Sequence, residues 1–357
     1  MGDSAFFMKN SEIFAEAMIR CGVRYHFAYP ITPASDVMKY TAVHLHEVGG
    51  RMFQPESELA VINCLAGLAT TGKLGCASTS GPGFDLMQEG IGFIAAAELP
   101  CLLLDNMRVG PGDGDIIGSQ QDYFMATRGG GHGDYYLPVY APSSGQEIVE
   151  LMPIAIDRGY KYRSPVLFLM DGVMAHMNET VILSSAKDIV SAYDTSDWAY
   201  TGAKGRGKRA LITGSYSHSD GEEMVKRLMA KAEKIKENEQ LWEENGLEDA
   251  EVVVTAFGLP GRICREVVQE GRKKGQKLGF IRPITLFPFP EKGFANIPKS
   301  TKEILVVEMN YGQMVQDVRL TMNGACKISH YGHVGGNQPM VKAKEVRRRL
   351  DEILEDD

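Results

Sequence analysis

Hydrophobic positions in the first half of the chain follow two periods in turn, one typical of amphipathic helices and the other of buried strands. Short apolar runs at 23–28, 75–79, 101–105 and 166–170 predict strands that are covered on both faces. Stretches with helical spacing separate these runs. Because repeated helix–strand alternation is typical of a doubly wound parallel sheet, we predict an α/β fold for this part of the chain.

Polar and glycine residues mark where the predicted helices begin and end. Asn10 or Ser11 is suited to cap the first helix, and Gly22 is suited to end it. Ser144 and Glu147 have the spacing of a capping box, which predicts that another helix begins there. Two further helices are predicted over 55–71 and 84–98.

The pattern changes after residue 185, where the alternation gives way to a charged segment. Residues 204–209 form a basic, glycine-containing loop, which fits a solvated turn and also fits a site beside an anionic partner. Residues 221–245 are rich in Glu and Lys, with apolar residues at helical spacing, and predict a solvated helix.

A second alternating unit begins at Glu251. Its predicted strands are 252–257, 277–281, 304–308 and 327–330, and its last helix is 341–354. We therefore predict three parts, namely a first domain over 1–190, a linker with a charged helix over 191–250, and a smaller α/β domain over 251–357.

Composition and charge narrow the class of protein. The chain has 357 residues with a net charge of −8, which gives no reason to expect a nucleic acid or an anionic membrane as partner. No apolar run approaches the ~20 residues of a membrane span, and the first residues lack a signal-peptide pattern, so we expect a cytoplasmic protein. The six cysteines have no ligand spacing and fit reduced core thiols, so neither an iron–sulfur nor a zinc site is expected in this chain.

Polar loops follow the predicted strands of the first domain. These loops are Tyr29–Pro33, Ser78–Gly83, Asn106–Arg108 and Asp171–Gly172. Because ligands bind beyond the carboxyl ends of parallel strands, we expect the loops to form one composite site. Residues 78–83 carry two glycines and three hydroxyl groups before a helix, which suits binding of a phosphate or cofactor ring and equally suits a tight turn.

Two glycine-rich segments carry further candidate chemistry. Gly112-Asp113-Gly114 has the first half of a magnesium-binding motif, but the next Asn after it is Asn178, so we predict a glycine loop and no metal site. His132, in the segment 129–134, is suited to acid–base chemistry near neutral pH and also fits a loop histidine without a chemical role.

These motifs together resemble those of the 2-oxoacid:ferredoxin (or flavodoxin) oxidoreductases. The matching segments are Tyr29-Pro30-Ile31-Thr32-Pro33, 54–60, 78–83 with 87–90, Arg108 on its glycine loop, 120–123, 129–134, 282–288 and 307–310. The resemblance is to the alpha-type subunit, close to the branched-chain 2-oxoacid and 2-oxoglutarate groups. It implies a pyrimidine-type thiamine diphosphate domain followed by a smaller transketolase-C-like α/β domain.

The resemblance also implies an activity and partners. The expected reaction is oxidative decarboxylation of a 2-oxoacid with coenzyme A to acyl-CoA, CO2 and reduced ferredoxin. Thiamine diphosphate is expected to be shared with a beta-type subunit that binds its pyrophosphate, with Mg²⁺ and an iron–sulfur cluster on partner subunits. Gamma and ferredoxin-like delta subunits and an external ferredoxin or flavodoxin are implied as well. Two alternatives stay open: a subunit of a non-oxidative thiamine-dependent 2-oxoacid decarboxylase, and a non-catalytic structural subunit.

Three residues are expected to carry the chemistry. Glu58 matches the glutamate that bonds N1′ of the cofactor, and a buried setting that raises its pKa is expected; Glu56 is the rival carboxylate. Arg108 offers a fork for the substrate carboxylate. Thr32 offers a hydroxyl to the same group, although it also suits the cap of a helix beginning at Pro33.

The remaining site predictions follow the same resemblance. Cofactor contacts are expected from Tyr29, Pro30, Ile31, Ser80, Gly81 and Pro82, in addition to Glu58. Substrate contacts are expected from Gln121 and His132, in addition to Thr32 and Arg108. A second substrate carboxylate would need a further cation, for which His26, His132 and Arg128 stay open as candidates.

Overall fold

The protein is described from a computed structural model, which covers residues 4–183, 189–211, 213–214, 218–334 and 340–355. The predicted domains and linker extend over the intervening residues as well. Those parts of the predictions, at 1–3, 184–188, 212, 215–217, 335–339 and 356–357, lie outside the described residues.

Helices and strands alternate along most of the described chain. The strands are β1 (Ser4–Lys9), β2 (Tyr25–Ala28), β3 (Arg51–Phe53), β4 (Gly75–Thr79), β5 (Cys101–Val109), β6 (Asp115–Gly118), β7 (Val139–Tyr140), β8 (Pro165–Asp171), β9 (Asn178–Leu183), β10 (Trp242–Asn245), β11 (Val252–Thr255), β12 (Leu278–Pro283), β13 (Thr285–Phe287), β14 (Glu303–Glu308) and β15 (Lys327–Gly332). The helices are α1 (Asn10–Arg20), α2 (Ser35–His44), α3 (Glu58–Ala69), α4 (Pro82–Ala96), α5 (Tyr123–Arg128), α6 (Gly145–Tyr162), α7 (Gly172–His176), α8 (His218–Asn238), α9 (Gly258–Lys273), α10 (Glu291–Phe294), α11 (Met314–Met322) and α12 (Ala343–Glu355). None of these helices is long and apolar enough to cross a membrane.

The largest sheet carries the loops that were predicted to form the site. Its order is β13-β7-β8-β5-β4-β2-β3, and β6 pairs with β5 at one end. The strands from β7 to β3 pair in parallel, whereas β13 and β6 are antiparallel. Separate hydrophobic clusters cover the two faces, so the predicted doubly wound parallel sheet is confirmed.

Strand β5 shows why the continuous apolar run at 101–104 forms a central strand. Cys101 and Leu103 pack into one hydrophobic cluster, while Leu102 and Leu104 pack into the cluster on the opposite face. β5 extends to Val109, beyond the predicted end at residue 105, because β6 pairs with its last residues. This extension places Arg108 beyond the carboxyl end of the neighbouring strand β4.

The second sheet has the order β10-β12-β11-β14-β15. β10 is antiparallel to β12, and the other pairs are parallel. The charged helix α8 ends at Asn238, so the predicted helix was wrong over its last residues. Those residues form β10 because β12 offers an unpaired edge, and because the Trp242 ring packs against Gly293, where a Cβ would approach it to 2.7 Å.

The two sheets are tied to each other by buried contacts. β13 follows β12 in the chain but pairs with β7 of the first sheet. Gln120, fully buried, donates from Nε2 to the Phe257 carbonyl over 3.0 Å and accepts from the Met309 N–H over 2.9 Å. Buried Arg282 bonds both oxygens of Glu147 on α6. The bonds of Gln120 fix the loop that follows β6 against the second sheet.

Candidate functional site

A cleft of about 420 Å³ lies where β4 and β5 end. Gly81, Pro82, Arg108 and Gln121 all line it. These four residues come from three separate segments of the chain and were predicted to share one site. The carboxyl ends of the parallel strands bring them together, as expected for an open α/β sheet.

Arg108 is the residue around which the cleft is organised. Its Nη1 donates to the Thr32 carbonyl over 3.0 Å, and its Nη2 donates to the Asp113 carbonyl over 2.9 Å. Its Nε is buried without a hydrogen-bond partner among the described residues. Because a guanidinium has five N–H donors and only two are used in these bonds, Arg108 keeps donors for an anion in the cleft.

Thr32 lies beside Arg108, in the loop between β2 and α2. Tyr29, Pro30 and Thr32 are exposed, and the Ser35 hydroxyl closes the turn by donating to the Ile31 carbonyl over 3.0 Å. The prediction that Thr32 caps a helix starting at Pro33 was wrong, since α2 begins at Ser35 after Ala34. The loop therefore presents Thr32 at the surface next to the guanidinium.

Glu58 is the first residue of α3, which Ser57 caps by accepting from the Ala60 N–H. Only 4% of Glu58 is exposed, whereas Glu56 is exposed to solvent. The Glu58 Oε1 accepts from the Thr79 hydroxyl over 3.5 Å. Of the two rival carboxylates, Glu58 alone has the buried setting that the proposed role needs.

Close approach of a helix explains why residue 83 is a glycine. A Cβ on Gly83 would lie 2.4 Å from the Glu58 Oε1 and 2.1 Å from the Thr79 Oγ1, both far inside contact distance. The absence of a side chain on α4 thus leaves the space that the Glu58 carboxyl occupies.

The loop between β4 and α4 reaches from Glu58 to Arg108. Gly81 has φ of 38°, and a Cβ there would lie 3.3 Å from the Arg108 Cγ. The Gly81 N–H donates to the Asp105 Oδ1 over 3.1 Å. The Ser80 hydroxyl is buried without a hydrogen-bond partner among the described residues, which leaves it available to a ligand or water.

Gln121 holds the glycine loop 110–114 to the cleft. Its side-chain carbonyl accepts from the Gly110 N–H over 2.8 Å, and its backbone carbonyl accepts from the Gln313 side chain over 2.6 Å. The predicted substrate residue Gln121 is therefore already engaged with the protein. Its backbone also links the cleft to the second sheet.

The structure does not bring His132 to this cleft. His132 is exposed and lines a different cleft, of about 240 Å³, between α4 and α8. The other candidates for a second cation lie elsewhere too. Arg128 pairs with Asp317, and His26 is buried between Thr41 and Ser78, where burial lowers its pKa to about 3 and keeps it neutral.

Two residues of the site were not foreseen from the sequence, Asp105 on β5 and Asp122 before α5. Both have a raised pKa, which burial causes in the first place. Asp105 ends the apolar run of its strand, and Asp122 lies in a motif noted only for its resemblance. Nothing in the sequence indicates that these carboxyl groups are buried, or that the charge of Asp122 raises the pKa of Asp105 further.

The family can now be identified. Residues 16–244 match the family described as pyruvate flavodoxin/ferredoxin oxidoreductase, thiamine diphosphate-binding, and 250–344 match pyruvate:ferredoxin oxidoreductase core domain II. The chain belongs to the 2-oxoacid:ferredoxin oxidoreductase family. The resemblance seen in the motifs of the 2-oxoacid:ferredoxin oxidoreductases is thereby confirmed.

Two relatives are similar along nearly their whole length. The ketoisovalerate oxidoreductase subunit VorB of Methanothermobacter thermautotrophicus is 37% identical over 347 residues, which cover 97% of each chain. The 2-oxoglutarate synthase subunit KorA of Methanocaldococcus jannaschii is 33% identical over 351 residues, which cover 92% of this chain and 95% of the relative. Both are named as subunits, so this 2-oxoacid:ferredoxin oxidoreductase chain is one subunit of a larger enzyme.

A solved structure shares the whole architecture. The 2-oxoglutarate:ferredoxin oxidoreductase from Magnetococcus marinus, with 2-oxoglutarate, coenzyme A and succinyl-CoA bound, superposes with a TM-score of 0.87 at 25% identity. The match covers 98% of this chain but 65% of that chain, so the present chain is the shorter of the two. The predicted fold class, that of the thiamine diphosphate enzymes with a second α/β domain, is confirmed.

Proposed function

We propose that this chain is the alpha-type subunit that binds the substrate carboxylate and the cofactor pyrimidine during oxidative decarboxylation of a 2-oxoacid to acyl-CoA. The observation that carries this proposal is the Arg108 guanidinium, held beside Thr32 with donors left over, in a cleft that also contains Gly81 and Pro82. A 2-oxoacid presents a planar carboxylate, which an arginine fork binds with two parallel hydrogen bonds.

The surroundings of Glu58 fit the aminopyrimidine of thiamine diphosphate. Its carboxyl group is buried, and the Thr79 hydroxyl is its hydrogen-bond donor from the neighbouring strand. When bound, thiamine diphosphate would supply a carbon nucleophile for the oxo group and an electron sink for the pair left behind when CO2 departs. Glu58 would hold a proton at the ring nitrogen N1′, and the residues 29–31 and 80–82 would orient the ring.

The charges in the cleft favour a 2-oxoacid with a single carboxylate, as in the branched-chain class. Arg108 is the one cationic side chain among the described residues that line the cleft. His26 is neutral, Arg128 is paired with Asp317, and His132 lies in another cleft. A second carboxylate, as in 2-oxoglutarate, would need its cation from a partner subunit. The ketoisovalerate relative has the higher identity of the two relatives described above, in line with this preference.

Partner subunits complete the active site in this proposal. The segment Gly112–Gly114 has only half of a pyrophosphate–magnesium motif, so a beta-type subunit would bind the pyrophosphate and Mg²⁺. An iron–sulfur cluster on that subunit or on a ferredoxin-like delta subunit would pass electrons to external ferredoxin or flavodoxin, and a gamma subunit would complete the assembly. The six free cysteines agree with the reducing cytoplasm as the location.

Replacing Glu58 by Gln tests the proposal directly. In the assembled complex, Glu58→Gln should lower 2-oxoacid-dependent dye reduction by at least ~100-fold, because the proton at N1′ is lost. Glu56→Gln is the matched control and should stay within about twofold, since Glu56 is exposed. Near-normal turnover of Glu58→Gln would refute the assignment. Full activity of the complex without this chain would instead favour a structural subunit.

The electron acceptor separates the proposed function from its non-oxidative alternative. A purified native complex should contain iron and should need coenzyme A for dye reduction. If the complex lacks iron and releases an aldehyde from the 2-oxoacid, the chain belongs to a decarboxylase. Steady-state rates with branched-chain oxoacids and with 2-oxoglutarate should show the higher kcat/KM for the branched-chain substrates.

A further inference from the structure

The cleft that contains Arg108 also has an apolar wall. Val109 and Pro111 line the cleft at the end of β5 and on the glycine loop, and Phe124 and Met125 line it from the first turn of α5. Phe124 and Met125 are both half-buried, and both also pack against the hydrophobic cluster on one face of the large sheet. Because part of each side chain contacts the core and part lines the cleft, a ligand bound to the guanidinium meets apolar surface as well.

The backbone of Phe124 is held by the second domain. Its N–H donates to the Gln313 Oε1 over 2.8 Å, and the Gln313 Nε2 donates to the Gln121 carbonyl over 2.6 Å. Gln313 precedes α11 and lines the same cleft. One amide side chain therefore bonds both ends of the segment 121–124, and it fixes the point where the short helix α5 begins.

The ring of Phe124 is held as well. The Arg128 Cζ lies 4.6 Å from the ring centroid, and the Arg128 Nη2 donates to the Asp317 Oδ1 over 3.0 Å. The guanidinium attracts the face of the ring, and the ion pair with α11 keeps the guanidinium in place. The Tyr123 ring meets the Phe124 ring edge to face, with 6.0 Å between the centroids. A ring held on several sides resists displacement by a ligand, so it limits the space in the cleft.

The charges of the cleft favour an apolar end of the ligand over a second carboxylate. Asp85 and Asp122 both line the cleft, and a second carboxylate beside them would place like charges close together. Apolar substrate atoms instead lose their contact with water when they pack against Phe124 and Met125, which is favourable.

We propose that Phe124 determines the size of the 2-oxoacid that the enzyme accepts, with the substrate carboxylate on Arg108 and the apolar side chain of the substrate against Phe124 and Met125. Gln313 is a positioning residue, because it acts through the backbone of Phe124. This inference rests on the proposed function of Arg108, and it adds the residue that distinguishes one apolar 2-oxoacid from another. A ring fixed in this way leaves less room for an aryl side chain than for a branched chain.

Steady-state rates of the assembled complex test the size limit. Phe124→Ala removes the ring, so the ratio of kcat/KM for phenylpyruvate to kcat/KM for 2-oxoisovalerate should rise at least ~10-fold, as expected when a pocket gains room for more than one methylene group. Phe124→Trp fills more of the cleft and should lower kcat/KM for 2-oxoisovalerate relative to that for pyruvate. The two variants shift the preference in opposite directions, which a general loss of folding does not do.

Phe93→Ala is the matched control, because Phe93 lines the separate cleft that contains His132. Both ratios should keep their wild-type values in this variant. Gln313→Leu removes the bond to the Phe124 N–H and should raise the ratio for phenylpyruvate in the same direction as Phe124→Ala, but less; wild-type ratios in Gln313→Leu would refute its positioning role.

Unchanged ratios in both Phe124 variants, in a complex whose wild type turns over 2-oxoacids, would overturn the size limit and leave the proposed function standing. A wild-type complex that is inactive with every 2-oxoacid would refute the proposed function, and the role of Phe124 would be refuted with it.

Discussion

At the scale of single residues, the position of the Glu58 carboxyl depends on residue 83 having no side chain. Gly83→Ala would place a Cβ 2.4 Å from the Glu58 Oε1 and 2.1 Å from the Thr79 Oγ1. We expect this methyl group to displace the carboxyl and to lower activity of the complex at least ~10-fold, since small misplacements of a reacting group are costly. Activity of the complex and binding of thiamine diphosphate measure the effect.

Gly221→Ala is the control for Gly83→Ala. Gly221 also lies in a helix, α8, but nothing is within 4 Å of a Cβ placed there. Its replacement should leave activity unchanged and alter the free energy of unfolding by at most about 1 kcal/mol in the stabilising direction. Equal loss of activity in both variants would show that the crowding around Glu58 has no special role.

His26 makes the stability of the chain depend on pH. Burial between Thr41 and Ser78 lowers its pKa from an ordinary value of 6.5 to about 3. Between about pH 3 and pH 6.5 the unfolded chain therefore binds a proton at His26 that the folded chain does not bind. The contribution of the neutral His26 to the free energy of unfolding is lost as the pH falls from about 6.5 towards 3. The loss is on the order of 5 kcal/mol over that window, as one pKa unit corresponds to about 1.4 kcal/mol.

Urea unfolding of the chain between pH 7 and pH 4 tests this dependence. His26→Gln has no titrating ring, so its unfolding free energy should fall less steeply, by about 1 kcal/mol per pH unit, than that of the wild type. His46→Gln should follow the wild-type slope because His46 is exposed. Parallel slopes for wild type and His26→Gln would contradict the neutral, buried histidine.

The family resemblance and the residue types together allowed part of the candidate site to be predicted. Glu58 and Arg108 were named because their segments resemble the family motifs, and the 78–83 loop was named because its glycines and hydroxyl groups lie between a strand and a helix. Asp105 and Asp122 were missed, because an aspartate at the end of a strand and one in a polar loop have nothing unusual in isolation. The burial that raises the pKa of both side chains is defined only by the folded chain.

At the scale of elements, helix α6 shows how a local signal fixes a boundary. The capping box predicted its start, and the Ser144 side chain accepts from the Glu147 N–H over 3.2 Å. Ser144→Ala should lower the free energy of unfolding by about 1 kcal/mol, measured by urea titration, because that N–H loses its partner. Ser144→Asp keeps an acceptor and should retain most of the stability; an equal loss in both would point to packing and not to the cap.

Several of the strands that the sequence patterns missed are short. β6, β7, β10 and β13 each have only two to four residues, too few to show a period. Each exists because a neighbouring strand offers unpaired backbone groups, as β5 does for β6 and β12 does for β10. The long buried strands were predicted within a few residues because burial on both faces leaves a continuous apolar run.

At the scale of the whole molecule, one buried glutamine joins the cleft to the second domain. Gln120 donates to the Phe257 carbonyl, accepts from the Met309 N–H, and its own carbonyl accepts from the Asn310 side chain. The next two residues are Gln121 and Asp122, which line the cleft. Because Gln120 fixes this segment, the second domain contributes to the geometry of a cleft whose proposed substrate-binding residues, Thr32 and Arg108, lie in the first.

Gln120→Leu should therefore weaken both stability and function. It leaves the Met309 N–H buried without its partner, at a cost of roughly 1–3 kcal/mol, and leaves the Phe257 carbonyl with the Gly261 N–H as its donor, 3.3 Å away. We expect a lower free energy of unfolding in urea, faster amide exchange at 119–122 and 309–310, and a raised KM as Asp122 and Gln121 lose their support. Gln316→Leu is the control, because Gln316 is exposed and should change none of these quantities. If Gln120→Leu lowers stability but leaves amide exchange at 119–122 and KM untouched, the second domain stabilises the fold without shaping the cleft.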